Sequence, residues 1–225
     1  SGYAAAARRM QQAGLDGVEF VASHGYLPAQ FLNPAVNLRD DAYGGSLENR
    51  LRFSVEVLKA IRAATGDDFV IGIRISADER DDTGLEAGET VTACQMLEPL
   101  LDYVNVTVGT SATQAGAIHI VPPMAYPAAY LAAEAKRIKQ ALSIPVFVAG
   151  RINQPHEAEA LLANGAADMC GMTRALICDP EMPTKAQDNR PDDIRACIAC
   201  NQACIGHFHR GIPISCIQHP ETGRE

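Results

Sequence analysis

Short apolar runs recur along this 225-residue chain with amphipathic segments between them, and that alternation limits the fold more than any other feature. Residues 17–22 (GVEFVA), 69–75 (FVIGIRI), 103–108 (YVNVTV), 146–149 (VFVA) and 167–170 are of strand length and almost free of polar interruption. Strands of that kind are buried on both faces, as in a parallel sheet. Residues 4–13, 88–101, 130–142 and 155–164 read as helices, and 173–188 as helical sequence interrupted by Pro180 and Pro183. After the N-cap candidate Ser46, the residues Leu47, Leu51, Val55, Leu58 and Ile61 fall at spacings of four and three. They form one apolar stripe. Gly14 and Gly66 are stop signals for the helices before them. The pattern is five βα units. A closed barrel needs eight strands, whereas an open doubly wound sheet can be built from five, so both architectures remain. No GxGxxG follows any strand, which weighs against a dinucleotide-binding sheet.

Charge narrows the partners. Nineteen Lys and Arg stand against 27 Asp and Glu, giving −8, with 5% aromatic residues and no Trp. A nucleic-acid binder needs a basic face and often stacking rings, so that class is excluded. No apolar run nears the roughly 20 residues of a membrane span. A small-molecule substrate and a cytoplasmic location are the expectation. The chain opens on Ser1 with helix-like sequence at once and closes in a polar stretch, the signature expected of a segment of a longer protein.

Several positions carry chemistry. Strand alternation puts Val70, Gly72 and Arg74 on one face and Ile71, Ile73 and Ile75 on the other. Arg74 stands at a strand C-terminus, where barrels do their chemistry. It needs an anionic or electron-rich partner, either a ligand or Glu19 on the preceding strand. Gly150-Arg151 and Gly171-Met172-Thr173-Arg174 end consecutive strands, and the second opens a helix. Glycine permits close backbone approach, and free N–H groups and Arg attract phosphate. Tight turns with surface Arg are the alternative. His24 directly follows the first strand, as a reactive or a structural histidine; His119, His207, His209 and His219 lie in loops and read as structural. Seven cysteines are unevenly spread. Cys94, Cys170 and Cys178 sit in apolar sequence as small buried hydrophobes. Cys197-x2-Cys200-x3-Cys204-x11-Cys216 crowds four thiols together, in the style of an iron–sulfur cluster, with zinc as the other candidate.

Together these stretches resemble a known family. GLDGVEFVASHGYLPAQFLNP (14–34), DAYGGSLENRLRF (41–53), IGIRIS (71–76), VFVAGRI (146–152), ADMCGMTRALICDP (167–180) and DDIRACIACNQACIGHFHRGIPISC (192–216) are similar to the old yellow enzyme-like NADH:flavin oxidoreductases. The likeness is to their long iron–sulfur branch, which includes trimethylamine dehydrogenase and 2,4-dienoyl-CoA reductase. The resemblance implies an α/β fold, the C-terminal part (strands four to eight) of an FMN-binding TIM barrel over residues 1–188. It implies a 4Fe-4S segment over 189–225, held by Cys197, Cys200, Cys204 and Cys216. Arg74 would lie beside the FMN ring near N1 and O2, with Gly150, Arg151, Thr173 and Arg174 on the phosphate. Thr173 stands where many relatives have Gly, which implies a backbone contact there.

His24 would be the catalytic residue, although Val21 occupies the place where relatives carry its partner. The resemblance further implies a FAD- or NAD(P)H-binding region or an electron-transfer partner in the whole protein. It leaves oligomerisation open. The stretch 118–123 and the tail HPETGRE point to oxidative demethylation of an N-methyl amine or amino acid. Reduction of activated C=C bonds is the alternative activity, and a zinc-bearing scaffold without catalysis is a third reading.

Overall fold

The structure is a computed structural model, and it describes residues 2–224. In chain order the elements are α1 (Gly2–Gln12), β1 (Gly17–Ala22), α2 (Leu27–Leu32), α3 (Leu47–Thr65), β2 (Val70–Ser76) and α4 (Ala87–Leu97). They continue with β3 (Tyr103–Thr107), α5 (Gln114–Ala117), α6 (Ala132–Ala141), β4 (Val146–Ala149) and α7 (Pro155–Ala163). The last are β5 (Met169–Gly171), α8 (Thr173–Cys178), α9 (Met182–Gln187) and α10 (Ile205–His209).

Each strand pairs in parallel with the next, in the order β1-β2-β3-β4-β5. A doubly wound sheet reverses its strand order at a switch point. There is no reversal here, so the winding is that of a barrel wall. The helices follow the same succession: α1 packs on α3, α3 on α4 and α4 on α6. Ile71, Ile73, Ile75, Val104, Val106 and Val146 are fully buried on the helix side. Their neighbours Gly72, Arg74, Tyr103, Asn105 and Phe147 share the opposite face, the inside of the wall.

Local sequence explains the element ends. Ser46 caps α3, its side chain accepting from the Asn49 N–H, and Gly66 ends the helix at φ 82°. Within the expected helix 88–101, Pro99 turns the last residues into a 3-10 turn, so α4 stops at Leu97. Ala129 takes a positive φ of 50°, and α6 accordingly begins at Ala132 rather than at 130. The expected break near Pro180 separates α8 from α9. Three short helices fall in stretches that read as loop: α2, with Pro28 in its first turn, α5, and α10, which carries His207 and His209. All are six residues or fewer, too short for a periodic signal.

The motif at 41–53 is a brace. Arg50 is buried, donates through Nε to the Gly45 carbonyl at 3.1 Å, and ties the Leu32 carbonyl to Glu89 through its other nitrogens. One side chain thus joins α2, the loop before α3, and α4. Among the described residues no helix is long and apolar enough to cross a membrane.

Candidate functional site

The C-terminal ends of all five strands open onto one cleft of about 420 Å³. Its wall includes His24 after β1, Arg74 of β2, Thr107 of β3, residues 149–153 after β4, and residues 171–174 between β5 and α8. This is the face where barrel enzymes assemble their sites, and the size lies in the ordinary range of ligand pockets.

The two Gly-Arg loops meet here as expected. A Cβ on Gly150 would stand 2.3 Å from Leu131 Cδ1, and one on Gly171 would stand 2.9 Å from the Ala149 Cβ. Packing against Leu131 and Ala149 therefore requires glycine at both positions, and both line the cleft. Arg151 holds a left-handed φ of 49°, and its Nε is buried without a hydrogen-bond partner. Orphaned donors of that kind are rare in finished interiors and suit an anionic ligand. Arg174 is partly engaged: its Nη1 donates to the Pro122 carbonyl at 2.9 Å and to Asn201 Oδ1 at 2.7 Å. Burial pulls its guanidinium below the ordinary value, against the pull of Cys197, Cys204 and Cys200. Arg174 thereby stands between the cleft and the cysteine segment.

Arg74 both lines the cleft and pairs with Glu19, its Nε 2.7 Å from Glu19 Oε1. The expected Glu19 partner is thus present, and the side chain still borders the cleft. His24 sits at φ 60°, its N–H donating to Ser76 Oγ at 3.3 Å and its carbonyl accepting from the Ser111 N–H at 3.2 Å. The Ser76 hydroxyl in turn donates to the Gly109 carbonyl at 2.8 Å. Burial first, and the Arg74 charge second, press the His24 ring down to about 4, although a hydrogen bond with the Val108 carbonyl opposes them. The ring is therefore neutral at pH 7. With one nitrogen donating to Val108, the other is left as an acceptor.

The four C-terminal cysteines line a second, small cavity next to the cleft and shared with Arg174. Ala199 at φ 54° and Asn201 at φ 58° curl the loop tightly. The Ala199 N–H donates to Cys197 Sγ at 3.4 Å. Asn201 Nδ2 anchors the loop to the Val121 carbonyl at 2.7 Å, and the Ser215 N–H meets the Ala203 carbonyl at 2.7 Å, which returns Cys216 beside Cys204. All four thiols are free. Among the described residues no three His, Cys, Asp or Glu are gathered tightly enough to hold a metal ion. A lone zinc draws its thiolates to about 2.3 Å from one centre.

Of the other cysteines, Cys94 is a fully buried hydrophobe and Cys170 is half-buried. Cys178 is buried too, and it also hydrogen-bonds Cys216, a contact that its distance in sequence conceals. His119 is structural: its Nδ1 lies 3.1 Å from the Tyr130 hydroxyl and its ring packs on Tyr126. Glu79 escaped the sequence reading. It is buried and accepts from Asn33 Nδ2 at 2.7 Å and from the Leu85 N–H at 2.8 Å, bracing the loop after β2.

Comparisons with known proteins agree with this layout. The sequence pattern of the NADH:flavin oxidoreductase / NADH oxidase family matches residues 1–193. A metal reductase of Desulforamulus reducens is 46% identical over 225 residues, covering 99% of this chain and 33% of that protein. An N,N-dimethylglycine/sarcosine dehydrogenase of Chromohalobacter salexigens is 40% identical, over 99% of this chain and 32% of that protein. Among solved structures, a 2-naphthoyl-CoA reductase in complex with 2-naphthoyl-CoA superposes with a TM-score of 0.92 at 35% identity, covering 98% of this chain and 33% of that one. The chain spans about a third of the length of these relatives.

Proposed function

Because the chain belongs to the NADH:flavin oxidoreductase / NADH oxidase family, we propose that its cleft binds FMN and that its four clustered cysteines hold a 4Fe-4S cluster. The five strands are the C-terminal part of a TIM barrel, residues 1–188, with the cluster segment in 189–225. The observation that carries the reading is the meeting of Arg74, the orphaned Arg151 Nε, Gly150 and Gly171 in one cleft at the strand ends. When bound there, FMN supplies a two-electron acceptor that can take hydride from carbon and pass its electrons on singly.

The chain's own residues prepare that site. Gly150, Arg151, Thr173 and Arg174 bind the phosphate, Thr173 through the backbone at the start of α8. Arg74 holds fixed positive charge beside the ring; it cannot lose its proton, so it favours a reduced, anionic partner. His24 is neutral and offers an acceptor nitrogen to a substrate N–H or O–H, orienting the carbon that reacts. Arg174 and Asn201 clamp the cysteine loop against the cleft, so that the residues that would hold the cluster adjoin those that would hold the flavin.

The substrate class we favour is an N-methyl amine or amino acid, oxidised to an imine that water hydrolyses with loss of formaldehyde. The 40% identity with the dimethylglycine/sarcosine dehydrogenase supports it. Reduction of an activated C=C bond is the second reading, favoured by the superposition on 2-naphthoyl-CoA reductase. The test uses the complete reading frame. Turnover of N-methyl amino acids with an artificial electron acceptor, and none of enoates with NADH or NADPH, establishes the first reading; the reverse result establishes the second.

A further inference from the structure

Three side chains from neighbouring strands converge on one carboxylate inside the barrel wall. Glu19 of β1 lies opposite Gly72 of β2, which lies opposite Tyr103 of β3. One pair of residues further along, Val21, Arg74 and Asn105 are in register. Arg74 Nε is 2.7 Å from Glu19 Oε1, at an angle short of a hydrogen bond. Asn105 Nδ2 donates to Glu19 Oε2 at 2.8 Å, and the Tyr103 hydroxyl donates to the same oxygen at 3.2 Å. Gly72 is what lets the Tyr103 ring lie across β2, since a Cβ there would stand 2.0 Å from the ring. The ring is also stacked on Phe147 with centroids 4.5 Å apart. The carboxylate is thus fixed by two donors of β3 before it meets Arg74.

We propose that Glu19 is a positioning residue for Arg74: it anchors the guanidinium at Nε, leaves the terminal amino groups to the cleft, and with its own charge moderates the positive field at the flavin. This rests on the reading of the cleft as the FMN site. A long, flexible side chain held at one point keeps one direction, and only then does its charge act at a defined place. The carboxylate lies on the far side of the guanidinium, so the two charges act on a reduced flavin with opposite signs. Removing Arg74 disfavours reduction. Removing the charge of Glu19 while keeping its anchor favours it.

Glu19→Gln separates anchor from charge. The Gln oxygen still faces Arg74 Nε. Its NH2 group finds Asn105 Oδ1, which is buried and has no partner, once the Asn105 amide turns over. The experiment prepares the holoenzyme from the complete reading frame as wild type, Glu19→Gln, Arg74→Met and the double variant. It measures flavin content and the two-electron midpoint potential of each. Glu19→Gln should keep full flavin and shift the reduced-to-oxidised ratio about tenfold toward reduced, about 30 mV for two electrons. In the Arg74→Met background the same change should again raise the potential, because the carboxylate's charge acts on the flavin in its own right. A flavin-loaded Glu19→Gln protein with an unmoved or lowered potential overturns the inference. A wild-type protein without flavin overturns the cleft reading and this inference with it.

Discussion

Acidification should draw stability out of this protein through His24. The ring is pressed from an ordinary 6.5 to about 4, first by burial and then by the Arg74 charge. A group whose folded value is depressed in this way binds fewer protons folded than unfolded between those two values. Stability therefore rises with pH across the window, is fully present above about 6.5, and is lost as pH falls toward about 4. At about 1.4 kcal/mol per unit the ceiling is near 3 kcal/mol, and residual solvent contact lowers it to about 1–3 kcal/mol. His24→Asn isolates this contribution, because Asn tolerates the left-handed backbone at φ 60° better than most residues and does not titrate. Urea unfolding of the complete protein from pH 4 to 7 should show a shallower pH slope in the variant than in the wild type. Proton NMR of the His24 ring should show no titration above about pH 5. A ring midpoint at 6 or above, or identical slopes in the two proteins, refutes the reasoning.

Other outcomes follow from the same geometry. Arg74→Met should lower the FMN midpoint potential by several tens of millivolts, since a charge-assisted contact is worth about 1.5–3 kcal/mol and 30 mV is about 1.4 kcal/mol for two electrons; a spectroelectrochemical titration reads it, and cluster content should stay unchanged. Gly72→Ala should destabilise the fold by about 1–3 kcal/mol through the clash with Tyr103, measured by denaturant midpoint. Alanine at any one of Cys197, Cys200, Cys204 or Cys216 should cost the protein its iron, whereas Cys94→Ala should leave iron content intact, as metal analysis after anaerobic reconstitution will show.

The parallel βα repeat was legible because buried strands such as 69–75 and stripes such as Leu47 to Ile61 announce themselves in spacing. Strand order was not, since five βα units serve either a barrel or an open sheet, and only pairing in three dimensions decides between them. The inward face of Arg74 followed from strand alternation, and the Gly-Arg loops from their places after β4 and β5. Contacts between distant segments stayed hidden. Cys178 touches Cys216 and Arg174 ties Asn201 to Pro122 across long stretches of chain, and no local pattern encodes either contact. Glu79 was missed for the same reason: in sequence it is one acid among Asp78, Asp81 and Asp82, and only folding shows it buried between Asn33 and Leu85. The short helices α2, α5 and α10 carry too few turns to show a period, which is why His207 and His209 read as loop residues.

The central claim is that one chain brings an FMN cleft and a four-cysteine cluster site side by side, joined by Arg174. Combined flavin and metal analysis of the anaerobically purified complete protein tests it most directly. One FMN and four iron atoms per chain are expected, with flavin and cluster absorbance both bleaching on reduction. Stoichiometric zinc in place of iron, or a protein that carries its cluster but takes up no flavin, would contradict it.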